Sequence, residues 1–148
     1  MVAWRPKRIL SAQLGRDIWS VASSTSARFE ASRNQQLAHG PVRLNKRQRA
    51  TVERAVREVC LHRKYRLRAI NVRSNHAHTV VSALSDPEPI LDAFKSYSTR
   101  ALRETALLGK NIRPWARHGS TIYLWKERDV KKAVEYVLLG QDREFSLD

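Results

Sequence analysis

Residues 65–83, YRLRAINVRSNHAHTVVSA, decide the fold. Tyr65–Arg73 is short, apolar in part and free of Gly and Pro, and reads as a strand. Ser74-Asn75 makes a tight turn, and His76–Ala83 returns as a second strand rich in β-branched and apolar residues. Working outward, Asn45 is a helix N-cap, with Gln48 completing a capping-box pattern. The helix that follows runs to about His62 and buries Val52, Val56, Val59 and Cys60 at helical spacing. On the other side, Asp86-Pro87 opens a second helix, because Pro suits the first helical position. That helix turns Leu91, Phe94, Ala101 and Leu102 inward. Ser120–Trp125 is a strand, and Lys126–Leu139 is a last helix stopped by Gly140. Toward the start of the chain, Asp17–Thr25 reads as a first strand. Residues 1–16 read as a basic arm and residues 26–44 as a long loop. The order is β-α-β-β-α-β-α within a single domain spanning residues 1–148. Its first six elements are those of a ferredoxin-like, split β-α-β fold of the α+β class, with an antiparallel sheet and an extra C-terminal helix. Many unrelated functions use that fold.

Charge narrows the field. The 148-residue chain carries 28 Lys and Arg against 14 Asp and Glu, a net charge of +14. Residues 43–73 hold eleven basic and two acidic side chains and supply +9 of the excess. A concentrated basic stretch serves either as a solvated helix face or as a phosphate-tracking surface, and its size here favours the second. Nucleic acid is the usual polyanion for so cationic a domain. The single Cys excludes an internal disulfide framework and a Cys-rich zinc site, and Cys60 is expected in the core. No apolar run approaches a membrane span, and the N-terminus is too polar for a signal peptide, so a reducing cytoplasm is the expected compartment.

Three groups of residues carry chemistry. His76 and His78 alternate on a strand, so both imidazoles project from one face, as two thirds of a small metal site. Without a ligand or partner, two adjacent buried histidines would cost desolvation. Tyr136 lies on the last helix, whose apolar stripe is Val130, Ala133, Val134, Val137 and Leu138. At about 100° per residue its ring points well away from the centre of that stripe. A tyrosine so placed is commonly an exposed, snorkelling side chain. The loop Arg113–Thr121 interleaves Trp115 with Arg113 and Arg117. It offers phosphate neutralisation, a stacking face for an unpaired base, and close backbone approach at Gly119.

Taken in order, NVRSNHAHTVVSA, FKSYSTRAL, WARHGSTIYLW and AVEYVLLGQ resemble the single-tyrosine HUH transposases, the IS200-like insertion-sequence enzymes and their relatives associated with repetitive extragenic palindromes. The resemblance runs from about Pro41 to Gln141. It implies a DNA transposase that cleaves and rejoins single-stranded or hairpin DNA. In that family a His-hydrophobic-His strand binds a divalent metal, Mg²⁺ or Mn²⁺, which places His76 and His78 as ligands. A tyrosine on the last helix is the nucleophile that forms a 5′-phosphotyrosine and releases a 3′-hydroxyl, which places Tyr136. The family often supplies a third polar ligand one turn after the tyrosine; Gly140 has no side chain, and Gln141 is the nearest candidate. The residues expected to contact DNA are Arg47, Arg49, Arg73, Lys95, Arg113, Trp115, Arg117, His118 and Ser120. Family members work as monomers or as homodimers, and a prokaryotic cytoplasm, with nucleoid association through DNA, is the implied setting.

Other classes fit less well. A catalytically silent binder of hairpin or single-stranded DNA would not need His76, His78 and Tyr136 together. A carboxylate-metal nuclease wants an acidic cluster, and the acidic residues are scattered. A two-histidine phosphoesterase wants two His-x-Thr/Ser motifs, whereas Thr79 follows His78 directly. An RNA-binding domain of this fold wants exposed aromatics on central strands, and HAHTVVSA has none.

Overall fold

The hairpin within residues 65–83 forms where the sequence reading places it. The computed structural model describes residues 7–13, 42–117 and 119–139. Its elements are β1 (Lys7–Gln13), α1 (Lys46–His62), β2 (Arg66–Val72), β3 (His76–Ser82), α2 (Pro87–Glu104), β4 (Ser120–Leu124) and α3 (Glu127–Leu139). The four strands make one antiparallel sheet in the order β2-β3-β1-β4, so β3 and β1 are central. This is the ferredoxin-like arrangement, with α3 added.

One element differs from its expected position. The first strand is Lys7–Gln13, inside the segment read as a basic arm, and it pairs with both β3 and β4. The expected strand Asp17–Thr25, and the expected loop up to residue 41, lie outside the described residues. Arg5, Lys7 and Arg8 crowd the start of ILSAQ, so charge outweighs the short apolar pattern that a central strand needs.

Local chemistry sets the helix ends. Asn45 accepts a hydrogen bond from the backbone N–H of Gln48 at 3.0 Å, and the Gln48 side chain accepts one from the Asn45 N–H at 2.8 Å. The Gln48 amide also donates to the Leu107 carbonyl at 2.7 Å, tying the start of α1 to the turn after α2. Beyond α1 the chain turns back at Lys64, whose φ of 57° is the left-handed conformation usual for glycine. Pro87 opens α2 as expected.

The sheet separates two apolar layers. On one face α1 and α2 pack Val52, Val56, Val59, Leu91, Phe94 and Leu102 against Ile70, Val72, Ala77 and Val81. On the other, α3 packs Val130, Ala133 and Val137 against Ala69, Val80 and Leu124. Val134 is half-buried and Leu138 is 53% exposed, so the stripe on α3 is narrower than the sequence reading has it. A bulge between Leu67 and Ala69 shifts the register against β3. One extra residue reverses the alternation, so Leu67 and Ile70 both join the α1–α2 layer while Ala69 joins the α3 layer.

Candidate active site

Period-two alternation on β3 sends Ala77 and Val81 into the α1–α2 layer and leaves His76, His78 and Val80 on the face covered by α3. The two imidazoles meet edge to face, with centroids 4.8 Å apart at 82°. The Tyr136 ring of the same chain stands 5.9 Å from His78 at 85°. Tyr136 is half-buried, at the edge of the α3 layer, rather than exposed. With Leu138 exposed and Val134 only partly buried, the buried stripe is Val130, Ala133 and Val137, and its centre lies about 90° from Tyr136 around the helix.

Two asparagines hold this arrangement. Asn71 pairs with His78 across the β2–β3 ladder, and its amide donates to the Val137 carbonyl at 3.0 Å. It thus ties the tyrosine-bearing turn of α3 to the histidine strand. Asn75 sits in the turn, with Oδ1 2.8 Å from His76 Nδ1. When Nδ1 carries the proton, it donates to Asn75, and Nε2 presents its lone pair. The sequence reading treats Asn75 only as a turn residue. Its position next to His76 is the signal that points to a second role.

Burial controls the electrostatics. His78 is pushed down to about 4, first by burial and then by the charges of His76 and Arg73, so its ring is neutral at pH 7. A neutral imidazole is the form that binds a cation. Burial raises the Tyr136 phenol above its ordinary value. Among the described residues, no group of three or more His, Cys, Asp and Glu gathers as a metal cluster. Gln141 lies outside the described residues, as does His118.

The residues expected to contact DNA fall into separate places. Arg73, at the end of β2, lies by the histidine pair, where its charge acts on His78 and its backbone N–H donates to the His76 carbonyl at 2.8 Å. Ser120 pairs with Ser11, which pairs with His78, so its backbone lies in the same cross-sheet row. Arg47 is exposed on α1, and the Nε of Arg49 is buried with no hydrogen-bond partner among the described residues. Lys95, Arg113 and Trp115 collect around α2 in the layer across the sheet, and Arg117 is exposed in the same loop.

The model of the family described as "Transposase IS200 like" matches residues 41–128, more than half of the chain. The chain belongs to that family. Among solved structures it is similar to a REP-associated tyrosine transposase bound to a REP hairpin. That match has a TM-score of 0.55 and 14% identity over 93% of this chain and 67% of the other, a likeness of fold. No match was found among curated proteins. Among the described residues no helix is long and apolar enough to cross a membrane.

Proposed function

We propose that this chain cleaves and rejoins single-stranded DNA, with Tyr136 as nucleophile and with a divalent cation, Mg²⁺ or Mn²⁺, held by His76 and His78. Gln141 is proposed as a third ligand. One observation carries the reading: two imidazoles from β3 and a phenol from α3 meet on one chain, at 4.8 and 5.9 Å between ring centres. Family membership and the hairpin-bound structural neighbour support DNA as the partner.

The donor set fits a cation. His78 is neutral, and Asn75 can orient the lone pair of His76. Imidazole nitrogens suit Mn²⁺ better than Mg²⁺, which prefers oxygen. When bound, the cation would draw charge from a non-bridging phosphate oxygen. The remaining work falls to the chain. Tyr136 gives its phenolic proton to solvent base, and its oxygen bonds to phosphorus. The bond from phosphorus to the 3′ oxygen breaks, and that oxygen takes up a proton to leave as a hydroxyl. The product is a 5′-phosphotyrosine. The ester's free energy is retained, so attack by another 3′-hydroxyl restores the tyrosine and joins the strands without a further energy source. The packed face of α3 and the Asn71 bond hold the phenol in place.

The test is adduct formation. A 5′-labelled strand would lose its label from the adduct, so 3′-labelled oligonucleotides carrying candidate cleavage sites are incubated with Mn²⁺ or Mg²⁺. A covalent protein–DNA band is expected, with Tyr136→Phe abolishing it. A band of equal strength from Tyr136→Phe would overturn the assignment.

A further inference from the structure

Across the sheet from Tyr136, the C-terminal half of α2 and the loop 113–115 enclose a cleft of about 550 Å³. Its cationic lining is Lys95, Arg100, Arg103 and Arg113, with Glu104 as its one carboxylate. Arg100 and Arg103 escape the sequence reading because they lie outside the most basic stretch. Among the described residues none of these four cations forms an ion pair, although Asp92 lies near Lys95. The walls are braced from within. Lys95 Nζ donates to the Ala116 carbonyl at 3.1 Å, Arg103 to the Ile112 carbonyl at 3.2 Å, and the Trp115 indole N–H to Thr99 Oγ1 at 3.1 Å. Trp115 also packs on the α1–α2 core, so its ring is held as a fixed wall of the cleft.

We propose that this cleft is a second nucleic-acid contact, gripping an unpaired stretch of the substrate strand on the side of the sheet away from Tyr136. The proposal rests on the DNA-cleaving function and adds a place where a flank of the strand is held while another part is cut. The excess of cations over carboxylates matches a run of phosphates. A fixed indole wall matches a base only when that base is unstacked from a partner strand, which favours single-stranded over duplex DNA.

Binding of fluorescent oligothymidylate is measured against salt, in the full chain carrying Tyr136→Phe to prevent cleavage. Arg100→Gln/Arg103→Gln is expected to weaken binding about tenfold and to lower the salt slope by roughly 1. The control Lys126→Gln/Arg128→Gln removes the same charge from exposed positions at the start of α3 and is expected to change affinity less than about threefold. Trp115→Phe keeps a ring in the wall and should remove most of the quenching of tryptophan emission by oligothymidylate. Equal losses from the two double variants, or an equal loss for blunt duplex, would show only a general cationic field and overturn the proposal. The two readings fail separately. Adduct formation by the parent chain with no cleft effect sinks the cleft alone; a cleft effect with no adduct from the parent sinks the cleavage reading alone.

Discussion

At the residue scale, the site depends on which protons its side chains hold. His78 has its value lowered from an ordinary 6.5 to about 4. Between those values the unfolded chain binds the proton and the folded chain does not, so stability falls as the pH drops from about 6.5 toward 4. The full effect is about 3 kcal/mol. Urea unfolding at pH 7 and pH 4.5 should show this loss, and His78→Gln should flatten the difference; an unchanged pH dependence in His78→Gln would remove the group as its source. Asn75 acts one atom further out. Asn75→Ala is expected to weaken Mn²⁺ binding by 10- to 100-fold in calorimetry, while Asn75→Asp, which keeps an acceptor for His76 Nδ1, preserves it. Equal affinity in parent and Asn75→Ala would dismiss the orienting role. His76, His78 and Tyr136 were legible as candidates from the sequence. Asn75 was legible only as a turn, because a hydrogen bond to a neighbouring ring leaves no periodic signal.

At the element scale, the two ends of α1 make opposite predictions. Asn45→Ala removes one half of the capping box and should cost about 1 kcal/mol. Lys64→Gly relieves a left-handed φ of 57° at the other end and should stabilise the chain by up to about 1 kcal/mol. Thermal unfolding checks both, and a destabilised Lys64→Gly would mean that the Lys64 side chain contributes more than its backbone costs. The helices, the hairpin and the Asn45 cap were all legible, since each rests on spacing or on residues a few positions apart. The first strand was not, because its pairing with β3 and β4 brings together residues far apart in the chain and its flanking charges conceal the apolar pattern. The bulge in β2 was equally hidden, although it decides that Asn71 faces α3.

At the scale of the whole molecule, the sheet is a partition. The histidines belong to its central strand and the tyrosine to the helix laid over one face, so their meeting depends on how closely α3 seats. Ala133 is fully buried in that contact. Ala133→Leu should cost about 1 to 3 kcal/mol by overpacking. It should also cut adduct formation well below that of the parent while the α1–α2 layer keeps its helical signal. Full adduct formation in that variant would show that the seating of α3 does not control the chemistry.

The sequence by itself determined the strand and helix periods, the antiparallel hairpin, the cationic character and the side-by-side histidines, because these follow from residue type and from spacing within one element. Only the tertiary structure decided that Lys7–Gln13 is a central strand, that Asn71 ties α3 to the histidine strand, and that Tyr136 reaches His78 within one chain. Those facts depend on register and on how layers stack, and both are settled by apolar surfaces and backbone hydrogen bonds closing over residues that the chain itself keeps far apart.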